Sequence, residues 1–303
     1  MIHIFYHSGD FDGLCSGAVI KHYHLTQNIP EDQIIFQPLQ YGESFPYDKI
    51  SANDQVIFAD VSISPYSEMI EIYKKYDTTI IDHHQTLIAA LRASDVQQFK
   101  GLQVSGKKAA CELCWNFYFP EKEPPTFVKL LSTYDVWDNS DIDFWNSVVL
   151  PFQYGLKTQD LRPYKSWAFW QSLFLMNQSS MDAFVAQTVR DGFLILDYQD
   201  QINRKVLNAN VFDAKFDTLD AICCNSNFKN SGFFMSKWDE KKYDLMLAFD
   251  IDKNGRYNVS LYTTKDYIDV SALASRHGGG GHKQAAGFSA TTLSVKDGII
   301  NFS

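Results

Sequence analysis

The first 85 residues carry the pattern that most limits the fold. Four short apolar runs, Ile2 to Tyr6, Ile34 to Gln37, Gln55 to Ala59 and Thr79 to Ile81, alternate with stretches of helical spacing, Gly17 to Leu25 and Glu68 to Tyr76. Such runs predict strands, and strands separated by helices predict a parallel sheet, because parallel neighbours need a long crossover between them. Three of the runs end in residues able to bind a ligand. The first leads into His7-Ser8-Gly9-Asp10-Phe11-Asp12-Gly13, the third into Asp60 and the fourth into Asp82-His83-His84. All three belong at the carboxyl edge of one sheet, which is where open α/β sheets bind their ligands.

The residue types brought to that edge suggest metal chemistry. His7, Asp10, Asp12, Asp60, His83 and, further on, Asp135 offer two imidazoles and four carboxylates. That donor set suits two divalent ions, manganese first, with magnesium or cobalt as substitutes. Asp60 is the candidate bridge. A carboxylate shared between two ions holds them roughly 3.5–4 Å apart, the spacing at which a bridging hydroxide attacks phosphorus. Each residue alone has a plainer explanation: a histidine at a strand end is commonly just hydrogen-bonded, and an aspartate there commonly caps a helix or closes a turn. The convergence of four segments gives the set its weight.

The second unusual string is Gly278-Gly279-Gly280-Gly281-His282-Lys283-Gln284-Ala285-Ala286-Gly287. Glycines let a backbone approach a ligand closely. The residues after them are too apolar for a flexible linker, and no Gly-Lys-Ser/Thr follows as in a P-loop. Between the two strings, the spacing of Phe184, Val185, Val189, Phe193, Ile195, Leu196, Ile202 and Val206 predicts one long amphipathic helix, or two in succession, over residues 180–208. Beyond it, Ala221 to Cys224, Leu245 to Asp250 and Tyr257 to Thr263 read as strands, and Ser271 to Arg276 as a short helix. The segment 141–178, rich in tryptophan and phenylalanine, yields no clear organisation.

These strings resemble the DHH phosphoesterase superfamily with its DHH-associated C-terminal domain, over nearly the whole chain. His7-Ser-Gly-Asp10-Phe-Asp12-Gly13 is similar to its first motif, Phe58-Ala-Asp60-Val61 to the second, Asp82-His83-His84 to the third and Tyr134-Asp135-Val136-Trp137 to the fourth. Gly279-Gly280-Gly281-His282 with Ala285-Ala286-Gly287 resembles the signature of the C-terminal domain. Two residues separate His7 from Asp10, one fewer than in the common short-oligonucleotide members. The resemblance implies an α/β chain with a parallel-sheet catalytic domain (residues 1–180), a helical connector (181–208) and a smaller α+β substrate-binding domain (209–303), with the active site in the cleft between the domains. By the same resemblance His7, Asp10 and Asp60 hold one manganese, and Asp12, Asp60, His83 and Asp135 the other. His84 faces the scissile phosphate, and Asp82 orients an imidazole. Gly279, Gly280, Gly281 and His282, with Arg276 and Lys283 nearby, bind the phosphate or nucleotide end of the substrate. The implied activity is hydrolysis of short nucleotides, as in the nanoRNase and bisphosphonucleoside phosphatase branches. The alternatives are an exopolyphosphatase and a non-catalytic nucleotide-binding regulator.

Composition narrows the field further. A net charge of −9 argues against a protein that coats long duplexes, which needs a basic face, but leaves small phosphorylated substrates open. Five cysteines are an odd number for a disulfide framework, and a chain this large needs no staples, so Cys111-Glu-Leu-Cys114 and Cys223-Cys224 read as reduced core residues. The N-terminal run Ile2-His3-Ile4-Phe5-Tyr6, without a basic region and long apolar segment, reads as that of a cytoplasmic protein. No apolar run reaches the roughly 20 residues that a membrane span needs. Exposed sheet edges would allow a homodimer.

Overall fold

The computed structural model describes residues 1–227 and 231–303, without the side chains of Ser231 and His282. The chain forms two compact units, Met1–Ile195 and Leu196–Ser303.

Unit 1 is built on four parallel strands, β1 (Ile2–His7), β2 (Ile34–Leu39), β3 (Gln55–Ala59) and β4 (Asp77–Ile81), in the order β2-β1-β3-β4. Both faces are covered, and side-chain alternation divides the strands between them. Ile4, Tyr6, Ile57, Ala59 and Ile81 pack against α1 (Phe11–Thr26), α4 (Ala110–Tyr118) and α5 (Thr126–Asp135). Phe5, Val56, Phe58 and Ile80 pack against α2 (Tyr66–Lys75) and α3 (Gln85–Arg92), with Phe5 and Phe58 stacked at 5.0 Å. Two buried faces explain why these strands read as continuous apolar runs. Pro38, which cannot donate to a ladder, sits in the edge strand β2. The order also has a consequence for the site. From β1 the chain moves to β2 on one side and then to β3 on the other, so the reversal falls between the carboxyl ends of β1 and β3, where His7 and Asp60 lie.

The aromatic segment without clear sequence organisation forms α6 (Ile142–Phe144), a π-helical turn (Trp145–Val149), α7 (Leu150–Leu156) and α8 (Trp167–Leu175). The expected amphipathic stretch is one helix, α9 (Gln178–Asn210). Where α9 crosses α7 the backbones nearly touch. A Cβ on Gly192 would lie 1.7 Å from the Pro151 carbonyl oxygen, and one on Gly155 2.0 Å from that of Thr188.

Unit 2 carries, among its described residues, the end of α9, an eight-stranded mixed sheet and the helix α10 (Val270–Arg276). Its strands are β5 (Val211–Phe216), β6 (Leu219–Asn225), β7 (Leu245–Ile251), β8 (Tyr257–Tyr262), β9 (Gly280–His282), β10 (Ala285–Ala290), β11 (Leu293–Lys296) and β12 (Ile299–Phe302), ordered β11-β12-β5-β6-β7-β8-β10-β9. Within the glycine string, Gly280, Gly281 and His282 form the edge strand β9, hairpinned to β10 with His282 opposite Ala285 and Gly280 opposite Gly287. Crowding explains two of the four glycines, since a Cβ on Gly279 would lie 2.1 Å from the Gly287 carbonyl oxygen and one on Gly281 2.6 Å from that of Ala285. All five cysteines are free and buried, as core packing requires. Among the described residues no helix is long and apolar enough to cross a membrane.

Candidate active site

The loops that leave the carboxyl ends of β1, β3 and β4 meet the last turn of α5. His7 ends β1, and three residues later Asp10 is the N-cap of α1, its carboxylate accepting the Gly13 amide at 3.0 Å. The turn is so tight that a Cβ on Gly13 would lie 2.1 Å from the His7 carbonyl oxygen, which is why glycine follows Asp12. Asp12 itself is 2% exposed and serves a helix from elsewhere in the chain. Its two oxygens accept the Ala110 and Cys111 amides at 2.9 and 2.7 Å, satisfying the first turn of α4, which has no side-chain cap of its own.

Asp60 follows β3 in the left-handed region, at φ 60°. A non-glycine residue held there is strained, and such strain concentrates at functional sites. The Asp60 side chain is buried, and its Oδ1 has no hydrogen-bond partner among the described residues, although it lies 3.4 Å from His83 Nε2. The same His83 nitrogen is 3.3 Å from Asp135 Oδ2 and 3.8 Å from Asp12 Oδ2. After β4, Asp82 Oδ1 accepts both the His84 amide at 2.7 Å and His84 Nδ1 at 2.8 Å, which fixes the ring and turns Nε2 toward Tyr41.

Tyr41, just beyond β2, is the residue the sequence reading missed. Its hydroxyl donates to the Asp60 carbonyl at 3.2 Å and lies 3.2 Å from His84 Nε2, while its ring packs on His7 at 4.7 Å. An aromatic residue in a turn gives no signal in the sequence; only the strand order places it here.

Two groups offer three ligand atoms within 4.8 Å of one another: Asp12, His83 and Asp135, and Asp60, His83 and His84. His7 and Asp10 stay beside them as a pair, 3.5 Å apart, without joining either group. Asp138, the other acid near α5, turns away and accepts the Ser140 hydroxyl and amide. In unit 2, Arg276 pairs with Asp217 at 3.2 Å, Gly279 to Gly281 lead into and along β9, and Lys283 lies in the hairpin turn. The side chain of His282 lies outside the described residues.

The electrostatics of the cluster suit divalent cations. Burial, then repulsion from Asp12 and Asp10, pushes the Asp60 and Asp135 carboxyls well above the usual carboxylate range, and Asp10 is raised for like reasons. Burial lowers His83, leaving its lone pair free for ligation despite the acids around it. His84 differs: burial pulls it down, but the hydrogen bond and charge of Asp82, with Asp12 and Asp10, outweigh that and favour its protonated form. Carboxylates crowded in this way repel one another until a bound cation supplies the missing charge. The partnerless Asp60 Oδ1 fits that donor role.

Two family models and several known proteins match the chain. Residues 1–133 match the DHH family, N-terminal domain, and residues 225–302 match the DHHA1 domain. The uncharacterized protein R106 of Acanthamoeba polyphaga mimivirus is 26% identical over 311 residues, which is 94% of this chain and 66% of that protein, so the chain spans just under two thirds of this relative's length. Oligoribonuclease NrnB of Bacillus subtilis is 60% identical over 37 residues, 12% of this chain and 9% of that one. The solved structure of PggH, a pGpG-specific phosphodiesterase from Vibrio cholerae, is 12% identical, with a TM-score of 0.48 over 95% of this chain and 93% of that one.

Proposed function

We propose, for a chain that joins a DHH-family N-terminal domain to a DHHA1 domain, the activity of a manganese-dependent phosphoesterase that hydrolyses short nucleotides: oligonucleotides of a few residues, dinucleotides or a bisphosphorylated adenosine. The observation that carries the reading is Asp60 Oδ1, buried without a donor and 3.4 Å from an imidazole that also faces Asp12 and Asp135. Asp12, Asp60, His83 and Asp135 would hold one ion, and Asp60 with His7 and Asp10 the other. Two ions held there supply a nucleophile near neutral pH and offset charge on the phosphoryl group.

The remaining work falls to the chain. Asp82 holds Nδ1–H of His84, so a proton carried on Nε2 faces the Tyr41 hydroxyl at 3.2 Å and is available to a phosphoryl or leaving oxygen that enters beside that hydroxyl. Tyr41 steadies that nitrogen and donates a hydrogen bond from its hydroxyl to the Asp60 carbonyl, which ties the β3 and β4 loops together. As water adds to phosphorus it gives up one proton to solvent, the ester P–O bond breaks, and the departing oxygen takes the proton from His84 Nε2 and leaves as an alcohol, after which His84 is reprotonated from solvent. The local identity to an oligoribonuclease supports the choice of short nucleotides, and five buried free thiols suit a cytoplasmic enzyme.

The test is mononucleotide release from a 5′-phosphorylated RNA dinucleotide in manganese, comparing the natural chain with His83→Ala. Turnover that falls at least about 100-fold in the variant supports the reading, since His83 faces both groups of ligand atoms. Equal rates in the two proteins would remove it. No turnover in either would shift the choice to a bisphosphorylated adenosine or polyphosphate as substrate, and, if those failed too, to a binding role.

A further inference from the structure

The turn after α5 contains a residue that packing and backbone preference both disfavour. Helix α5 ends in a complete Schellman arrangement: the Trp137 amide donates to the Tyr134 carbonyl at 3.1 Å, and the Asp138 amide to the Thr133 carbonyl at 3.0 Å. The position between, with left-handed backbone, is ordinarily glycine because a Cβ is strained there. Here it is Trp137, at φ 54°. Burial does not compensate, for 51% of this side chain is exposed. A bulky residue in this conformation is a genuine outlier, and the inference runs from such an outlier to function.

Its surroundings indicate what the indole does. One side is supported by aromatic rings, Trp145 at 4.9 Å and 58° and Tyr134 at 5.8 Å and 60°, and those two are themselves parallel at 5.6 Å and 5°. Trp145 is buried, which anchors the trio. The rest of the indole is open. Asp135, whose carboxylate faces His83, is two residues away, so the two Cα atoms are at most about 7 Å apart. A group stacked on the indole would therefore lie beside the reacting phosphate.

We infer that Trp137 is a stacking platform for a nucleobase of the substrate and so selects nucleotides over baseless phosphates. The inference rests on the phosphoesterase reading and adds what that reading lacks, a contact with the base. Stacking suits a substrate of any sequence, since every base has a π-face.

The test compares three proteins, the natural chain, Trp137→Gly and Trp137→Phe, on a 5′-phosphorylated RNA dinucleotide and on two stable analogues, each abasic at one nucleoside. Glycine keeps the left-handed turn, so a loss cannot come from a broken cap. For the intact dinucleotide, Trp137→Gly lowers kcat/KM by about 5- to 100-fold, the value of one stacked base, and Trp137→Phe restores most of it. One analogue loses that sensitivity, which identifies the base that lies on the indole. Equal loss on all three substrates would reduce Trp137 to a support for the Asp135 turn and overturn the inference, as would no loss on any. If the natural chain cleaves none of them, the phosphoesterase reading fails separately. Calorimetric binding of AMP against ribose 5-phosphate then decides the platform, because only a base contact makes the preference for AMP disappear in Trp137→Gly.

Discussion

Asp60→Asn separates metal binding from folding more cleanly than any other single substitution. Asparagine accepts the left-handed backbone at φ 60° as readily as aspartate does, so the turn survives. The charge removed is one that burial opposes first and the acids Asp12, Asp10, Asp135 and Asp82 oppose next. The metal-free variant should therefore melt at the same temperature as the natural chain or above it. The response to manganese should be lost. An ion at a hundred times its Kd stabilises the folded state by about 2.7 kcal/mol. Unit 1 spans Met1–Ile195, and a unit of that size gains roughly 2–4 °C per kcal/mol, so each ion should raise its Tm by about 5–11 °C. Differential scanning calorimetry, with and without millimolar manganese and with a chelator as control, reads both quantities at once. A variant that keeps the full manganese shift would refute Asp60 as a shared ligand, and a natural chain without any shift would refute the metal site itself.

Three other expectations follow from distances and burial. Tyr41→Phe leaves the ring on His7 but removes the hydroxyl from the Asp60 carbonyl and His84 Nε2, so kcat should fall about 3- to 10-fold with KM little changed; a larger change in KM would give the hydroxyl a binding role. Gly192→Ala drives a methyl group into the Pro151 carbonyl, 1.7 Å away, and should cost on the order of 3 kcal/mol in urea unfolding, whereas a neutral result would show that α7 and α9 can separate freely. His24 is buried, and that burial, with a smaller push from Lys100, lowers it to about 4, below its unfolded value of 6.5. The unfolded chain takes up the proton first, so the stability is whole above pH 6.5 and is lost as pH falls toward 4, by at most about 3 kcal/mol. His24→Gln should flatten urea midpoints measured across that window.

What the sequence made legible was set by how much each element buries. The strands of unit 1 are covered on both faces, so their apolar runs stand out, and each ends where the chemistry begins. Asp12, Asp60, His83 and Asp135 could thus be gathered from four distant segments before any coordinates. Tyr41 could not, because its place depends on β2 lying next to β1. The segment 141–178 hid its helices because they are short, aromatic all round and interrupted by a π-helical turn, which blurs the 3.6-residue period. In unit 2 the last hairpin was present as Asp297-Gly298, both with positive φ, between β11 and β12. That pair is a strong hairpin signal, but its strands are only four residues each and mostly exposed. The glycine string hides a strand for the opposite reason: glycines are poor strand formers, and here β10 comes close enough to crowd Gly279 and Gly281.

Asp12 binds together two histories that could otherwise diverge. Its carboxylate completes the start of α4, nearly a hundred positions away in the chain, whatever else it holds. A descendant released from selection for hydrolysis could lose Asp60, His83 and Asp135 one after another and still fold, yet it would keep Asp12 for the sake of the helix. Of the acids in the cluster, Asp12 is therefore the poorest witness to whether such a descendant keeps the proposed activity, and Asp60, whose Oδ1 has no hydrogen-bond partner among the described residues, is the best.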